Sequence, residues 1–245
     1  MSKKRLDVIL VERGLAESRS KAQALIMAGQ VYRGEQRIDK AGTQLAEDVQ
    51  LEVRATQRFV SRGGDKLDHA LDALRVDPTD FICLDVGAST GGFTDCLLSR
   101  GAAKIYAVDV GYGQLHPRMR SDPRVVVRER TNARYLKPSD FDEPLDLVVV
   151  DASFISITKL ITPIAALLAP SKALVAMIKP QFEVGKEEAS KNRGVIRDEQ
   201  VRAHAIEQAK QAIIAAGFVI DDAADSAVRG PKGNLEHFVH ALRSP

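Results

Sequence analysis

The hydrophobic positions change their period along the chain, and those changes divide it. From Arg5 to Ala28, leucine, isoleucine and alanine recur at helical spacing on either side of Gly14, which predicts two short helices with Ser18 or Ser20 capping the second. Val31–Tyr32 and Gln36–Ile38 then flank a turn at Gly34–Glu35, and Val49 to Val53 alternates as a strand. Between Arg54 and Gly64 the pattern lapses, and Gly63–Gly64 reads as a hinge. A helix is predicted from Asp65 to Leu74, with Leu67, Ala70, Leu71 and Leu74 on one face. Beyond it, apolar runs at 81–86, 104–110, 124–128, 145–151, 172–179, 218–223 and 236–242 alternate with helical stretches near 91–100, 158–168 and 198–216. Such alternation predicts an α/β fold with a Rossmann-like, doubly wound sheet. The turn at Gly230-Pro231-Lys232-Gly233-Asn234 would join the last two strands as an antiparallel pair. The expected division is a small N-terminal α+β domain over 1–56, a linker over 57–64 and the α/β domain over 65–245.

Ligands of open α/β sheets sit at the carboxyl ends of the strands, so the residues there carry the candidate chemistry. Asp85-Val86-Gly87-Ala88-Ser89-Thr90-Gly91-Gly92-Phe93 leaves an apolar strand, breaks into small residues and continues as a helix. Glycine lets the backbone approach a ligand, and the helix start offers free N–H groups to a carboxylate. A dinucleotide fingerprint would place glycine where Ser89 stands, and here the acid Asp85 precedes the first glycine; the spacing suits S-adenosylmethionine better than NAD. Candidate cofactor residues are therefore Asp85, Gly87, Ser89, Gly91, Gly92 and Phe93. Asp109, ending the second strand, would accept from a ribose diol, with an N-cap or turn role as the other reading. Thr131 and Asn132, after the third strand, would flank the adenine.

Asp151 and Lys179 each follow an unbroken apolar strand. A charge in that position pays a desolvation cost unless it has a partner, so the two are expected to neutralise each other. A purely structural ion pair would explain these two residues alone. Lys66 falls near the first turn of its predicted helix, where a cation opposes the helix dipole; chemistry explains that placement better than helix stability does.

An apolar content of 44% with 28% charged residues supports a packed soluble core, and no apolar run is long enough to span a bilayer. The basic start lacks the apolar region of a secretory signal, so a cytoplasmic location is expected. Cys83 and Cys96 lack metal-ligand spacing, and neither a disulfide nor a metal site is expected. Residues 1–66 hold 13 Lys or Arg against 9 acids, whereas the remainder holds 22 against 24, so the basic end is N-terminal. With no tryptophan in the chain, extensive base stacking is not expected, so a nucleic-acid partner would be held chiefly by phosphate contacts and shape.

The N-terminal segment resembles the S-four RNA-binding module of a small-subunit ribosomal protein. The resemblance rests on Arg5-Leu6-Asp7, Glu17-Ser18-Arg19-Ser20-Lys21-Ala22, Ile26, Gly29, Val31 and the strand from Asp48 to Val53; Tyr32-Arg33-Gly34 departs from the commoner Val-Asn-Gly. It implies RNA contacts by Arg5, Arg19, Lys21 and Arg33, with Arg62 following in the next segment. The whole chain resembles the TlyA or hemolysin A family of S-adenosylmethionine-dependent ribosomal RNA 2′-O-methyltransferases, whose catalytic domain is similar to FtsJ. Ser61-Arg62-Gly63-Gly64-Asp65-Lys66-Leu67, Asp85 to Thr94, Asp151-Ala152-Ser153-Phe154, Lys179-Pro180-Gln181-Phe182-Glu183 and Gly233-Asn234-Leu235-Glu236 carry it.

That resemblance implies a Lys-Asp-Lys-Glu catalytic tetrad at Lys66, Asp151, Lys179 and Glu236, with S-adenosylmethionine as cofactor. It also implies a ribosomal RNA or ribosomal-subunit partner and a cytidine ribose as acceptor; the oligomeric state is left open, with a monomer favoured. A ribose hydroxyl ionises far above neutral pH, so its activation needs an amine that burial or a neighbouring cation has made able to take a proton. Lys179 is the candidate base; Lys66 would assist it and hold the oxygen, and Asp151 and Glu236 would orient the lysines. The alternatives are a non-catalytic RNA-binding or ribosome-assembly protein, and a membrane-active hemolysin, for which the sequence offers no spanning or interfacial segment.

Overall fold

The computed structural model describes residues 3–34, 36–53, 58–185, 194–230 and 232–245. The chain forms two compact units, Met1–Arg58 and Phe59–Pro245. The boundary expected at 56/57 falls outside the described residues, as do Glu35 and Pro231 of the two expected turns.

In the first unit, β1 (Lys3–Arg5) leads into α1 (Leu6–Glu12) and α2 (Arg19–Met27). Gly14, at φ +69°, lets the chain turn between the helices, and the Ser18 hydroxyl caps α2 by accepting from Lys21 N–H at 3.2 Å. The remaining strands are β2 (Val31–Arg33), β3 (Gln36–Arg37), β4 (Gln44–Ala46) and β5 (Glu52–Val53). β2 pairs antiparallel with β3 and β5, while β1 pairs with β4. Leu6, Ile9, Leu10, Ala22, Ile26 and Val31 form the core. The strand expected from Val49 is ordered into the sheet only at its end. The β1–β4 pair had no signal in the hydrophobic pattern, because its members are three residues long and mostly solvent-facing.

The second unit opens with α3 (Arg62–Ala73), three residues earlier than the apolar face predicts. Gly63 and Gly64 are therefore not a hinge: they form the first turn of this helix, with Ser61 accepting from Gly63 N–H at 3.3 Å as its cap. Gly64 is glycine for lack of room, since a Cβ there would overlap the buried Phe59 ring.

The strands are β6 (Ile82–Val86), β7 (Lys104–Val108), β8 (Val125–Arg128), β9 (Leu147–Val150), β10 (Ala173–Ile178), β11 (Phe218–Asp225) and β12 (His237–Arg243). They lie in the order β11-β12-β10-β9-β6-β7-β8. β6 to β10 pair in parallel, and β12 runs antiparallel between β10 and β11, as the turn residues before it anticipated. The helices are α4 (Gly92–Ser99), α5 (Pro117–Ser121), α6 (Ile161–Ala165), α7 (Pro180–Glu183) and α8 (Glu199–Ala215). α6 is shorter than expected because Ser156 caps a separate 3-10 turn, Ile157–Lys159, ahead of it.

β9 and β10 are buried along their whole length because two apolar layers cover the two sheet faces. From β6 the chain winds outward through β7 and β8, then returns to place β9 on the other side of β6. This reversal leaves a crevice at the carboxyl ends of β6 and β9, the place where such sheets hold ligands.

Gly64→Ala should force the Phe59 ring aside and destabilise the second unit by about 1–3 kcal/mol. Urea denaturation followed on the helical signal checks this; an unchanged midpoint would mean that Phe59 yields without cost.

Candidate active site

A cavity of about 1110 Å³ opens at that crevice. Lys66, Asp151, Lys179 and Glu236, four residues distant in sequence, all line it. Because α3 begins at Arg62, Lys66 lies in its second turn and not at the start where a cation opposes the dipole; it is 7% exposed and forms an ion pair with Glu236, which is 2% exposed and precedes β12. Lys179 follows β10 and forms an ion pair with Asp151, which follows β9. Neighbouring parallel strands bring the second pair together, in the register that matches Ala176 with Val150. Burial pushes the Asp151 carboxyl above its ordinary range, while Lys179 and then Lys66 pull it down. The two pairs are therefore close enough to act on each other electrostatically.

The backbone around Glu236 is fixed by polar contacts. Asn234 is buried, accepts from Ile196 N–H at 2.9 Å and donates to the Gly194 carbonyl at 2.8 Å. Arg202 of α8 donates to the Leu235 carbonyl at 3.2 Å and pairs with Asp225. Ser226 N–H donates to the Glu236 carbonyl at 2.9 Å. A Cβ at Gly230 would stand 3.0 Å from Glu236 Oε1, which leaves only a hydrogen's room beside the carboxylate.

The glycine-rich turn after β6 forms the neighbouring wall. Gly87, at φ +88°, passes so close to β9 that a Cβ would lie 2.7 Å from the Asp151 carbonyl. A Cβ at Gly92 would meet Gly64 N at 2.8 Å, so the first turns of α3 and α4 touch through their backbones. Of the residues anticipated for a cofactor, Gly87, Ser89, Gly92 and Phe93 line the cavity. Gly91 does not; at φ +96° it starts α4 against Leu115 and Met119.

Asp85 lies beneath the turn, fully buried, and accepts from the Thr94 hydroxyl at 2.6 Å. Its other oxygen has no hydrogen-bond partner among the described residues, and burial pushes the carboxyl up to about 7. Asp109 stands beside the cavity with its oxygens accepting from Ser89 N–H at 2.9 Å and Gly111 N–H at 2.6 Å, so the turn role is realised. A ribose diol would have to use the remaining lone pairs. Thr131 and Asn132 lie outside the cavity lining. The Thr131 hydroxyl donates to the Glu129 carbonyl at 3.0 Å, and Asn132 caps a 3-10 turn by accepting from Arg134 N–H at 3.1 Å.

Among the anticipated RNA contacts, Arg62 lines the cavity. In the first unit, Arg5 grips the fully buried Asp7 with two hydrogen bonds, at 3.0 and 2.9 Å, and Arg19 reaches the same carboxylate at 3.3 Å. Arg5, then Gln23 and Arg19, hold that carboxyl well below the usual range, against the cost of its burial. Lys21 is exposed, and Arg33 donates to Gln36 at 2.7 Å.

Several lining residues were given no functional role in the sequence reading. Ser153 accepts from Lys179 Nζ at 2.8 Å. Phe154 is 92% exposed and at φ +64°, with its ring 5.3 Å from that of Phe182. Arg134, Lys159 and Lys232 add positive charge to the lining. An aromatic set among small and polar residues directly after the strand acid was the available signal for Phe154; the cations come from separated loops and had none.

An FtsJ-like methyltransferase family model matches residues 59–243, and an S4 domain model, the S-four module, matches residues 4–51. The chain is 43% identical over 242 residues to the 16S/23S rRNA (cytidine-2′-O)-methyltransferase TlyA of Mycobacterium tuberculosis, covering 96% of this chain and 88% of that one. It is 41% identical to Hemolysin A of Brachyspira hyodysenteriae, covering 97% and 99% respectively. Among solved structures, a Streptococcus thermophilus protein described as a hemolysin superposes with a TM-score of 0.76 at 36% identity, covering 100% of this chain and 90% of that one.

The buried Asp85 makes stability depend on pH in a defined direction. Its folded value near 7 exceeds the ordinary 3.8, so its contribution is full below about pH 4 and is lost as pH rises through 7. Asp85→Asn should remove that loss, gaining stability relative to the parent between pH 5 and pH 8. Denaturation midpoints across that range check it; parallel curves for the two proteins would contradict it.

Proposed function

The chain belongs to the FtsJ-like methyltransferase family, and from that premise we propose that it transfers the methyl group of S-adenosylmethionine to the 2′-oxygen of a cytidine ribose in ribosomal RNA. The observation that carries the reading is the convergence of Lys66, Asp151, Lys179 and Glu236, as two lysine–carboxylate pairs, on one cavity beside the glycine turn.

The residues present fit such a cofactor. Gly87 and Gly92 leave a lining with no side chain between ligand and backbone, and Ser89 and Phe93 complete that wall. Asp109 stands beside it with lone pairs left for hydroxyls. The cofactor supplies a methyl group already activated by the sulfonium. What remains for the protein is to align an oxygen and to receive its proton.

Lys179 is assigned as the base: in its neutral form Nζ takes the proton of the 2′-hydroxyl, and Asp151 holds Nζ in place and balances the ammonium that results. Lys66, held by Glu236, supplies positive charge for the oxygen as it loses its proton. Arg62, Arg134, Lys159 and Lys232 suit the phosphates on either side of the acceptor, and the exposed Phe154 with Phe182 offers a face on which a base could stack. The S-four unit supplies docking affinity through its basic residues, with Arg5 and Arg19 oriented by Asp7.

The full name of the Mycobacterium tuberculosis relative specifies cytidine in 16S and 23S rRNA, which supports the same substrate class for this chain. A membrane-spanning role finds no support: none of the described helices is long and apolar enough to cross a membrane.

Labelled methyl incorporation into ribosomal RNA, followed by mapping of 2′-O-methyl positions, tests the reading. The parent should modify cytidine ribose, and methyl groups found only on bases would contradict it. Lys179→Ala should abolish transfer while leaving cofactor and RNA affinity nearly intact, because it removes an interaction needed chiefly in the transition state. Lys179→Arg should fail as well, since arginine keeps the charge but does not deprotonate in a protein. Near-parental turnover by the arginine variant would exclude the base role.

A further inference from the structure

We infer that Ser153 is a positioning residue for methyl transfer, fixing the direction in which Lys179 presents its Nζ to the acceptor oxygen; this rests on the function proposed above. The nitrogen has three substituent positions besides its own carbon. The Asp151 carboxylate holds the nitrogen through an ion pair, and Ser153 Oγ accepts one of its N–H groups at 2.8 Å. Among the described residues a further contact runs to the Asp151 carbonyl, at 3.5 Å, too long for a firm hydrogen bond. With the nitrogen placed by the ion pair, directing one N–H at Ser153 sets the rotation about the Cε–Nζ bond and with it the remaining positions, one of which is left to the substrate. With Asp151 alone, Nζ could rotate about the ion pair and point its remaining positions anywhere on a cone.

The serine has no comparable part in holding the fold together. It is exposed, it lines the cavity, and water could satisfy its hydroxyl as well as Lys179 does. Nor is it a second base, because its oxygen accepts from Nζ and carries no charge at neutral pH. Its effect is geometric, and a misplacement of the reacting group by ~1 Å costs on the order of 100-fold in rate.

Single-turnover and steady-state kinetics on ribosomal RNA with Ser153→Ala and Ser153→Thr test this, with Lys179→Ala alongside. Ser153→Ala should lower kcat by about 10- to 100-fold with little change in KM for either substrate. Ser153→Thr keeps the hydroxyl and should restore most of that rate. Parental kcat in Ser153→Ala would overturn the assignment. So would a loss confined to KM, or a threonine variant as slow as alanine, either of which would point to loop shape. If the parent transfers methyl and Lys179→Ala does not, those outcomes refute Ser153 alone. A parent protein inert on ribosomal RNA refutes the proposed function and this inference with it.

Discussion

Burying an ammonium and a carboxylate together at the edge of an apolar sheet is the constraint that the second unit is built around. Each of Lys66, Lys179 and Glu236 is less than a tenth exposed, and an isolated charge in such a place would cost several kcal/mol. Pairing reduces that cost without making the arrangement favourable, because hydrophobic residues of similar volume commonly stabilise such positions as well or better. The geometry needed for pairing is demanding. β9 must lie beside β10 for Asp151 to meet Lys179, and β12 must insert antiparallel next to β10 for Glu236 to reach the same cavity as α3. The glycines at 64, 87 and 92 follow from this, since side chains there would drive apart the elements that carry Lys66, Asp151 and the ligand wall.

The polar contacts behind Glu236 have the same origin. A carboxylate on a loop reaches a fixed place only when the loop is held, and Asn234, Arg202 and Ser226 hold its backbone through three successive residues. Buried Asp7 is the corresponding feature of the first unit, where one carboxylate gathers Arg5, Arg19 and Gln23. In both units a buried acid is paired with longer cationic side chains.

Much of this was legible in the sequence, and the reasons are specific. Unbroken runs such as Val148–Val150 and Leu174–Ile178 are readable because a parallel sheet covered on both faces tolerates nothing polar. A charge directly after such a run is conspicuous for the same reason, so Asp151 and Lys179 could be paired before any geometry was known. Gly63–Gly64 misled because glycine has two uses, conformational freedom and small size, and only the position of Phe59 shows that the second applies. Asp109 was placed correctly at its strand end, yet its two backbone donors depend on how the loops after β6 and β7 meet. Ser153 stood in a motif that gave no sign of its role, since its significance lies in its distance from Lys179.

If the buried pairs serve methyl transfer and not stability, an apolar replacement of the Lys66–Glu236 pair separates the two most directly. The double variant Lys66→Met, Glu236→Leu should unfold at a denaturant concentration close to or above that of the parent, because it removes two buried charges together. Its methyl transfer to ribosomal RNA should be lost. A double variant that unfolds much more readily than the parent yet still methylates at the parental rate, once folded, would show instead that the pair serves stability and not transfer.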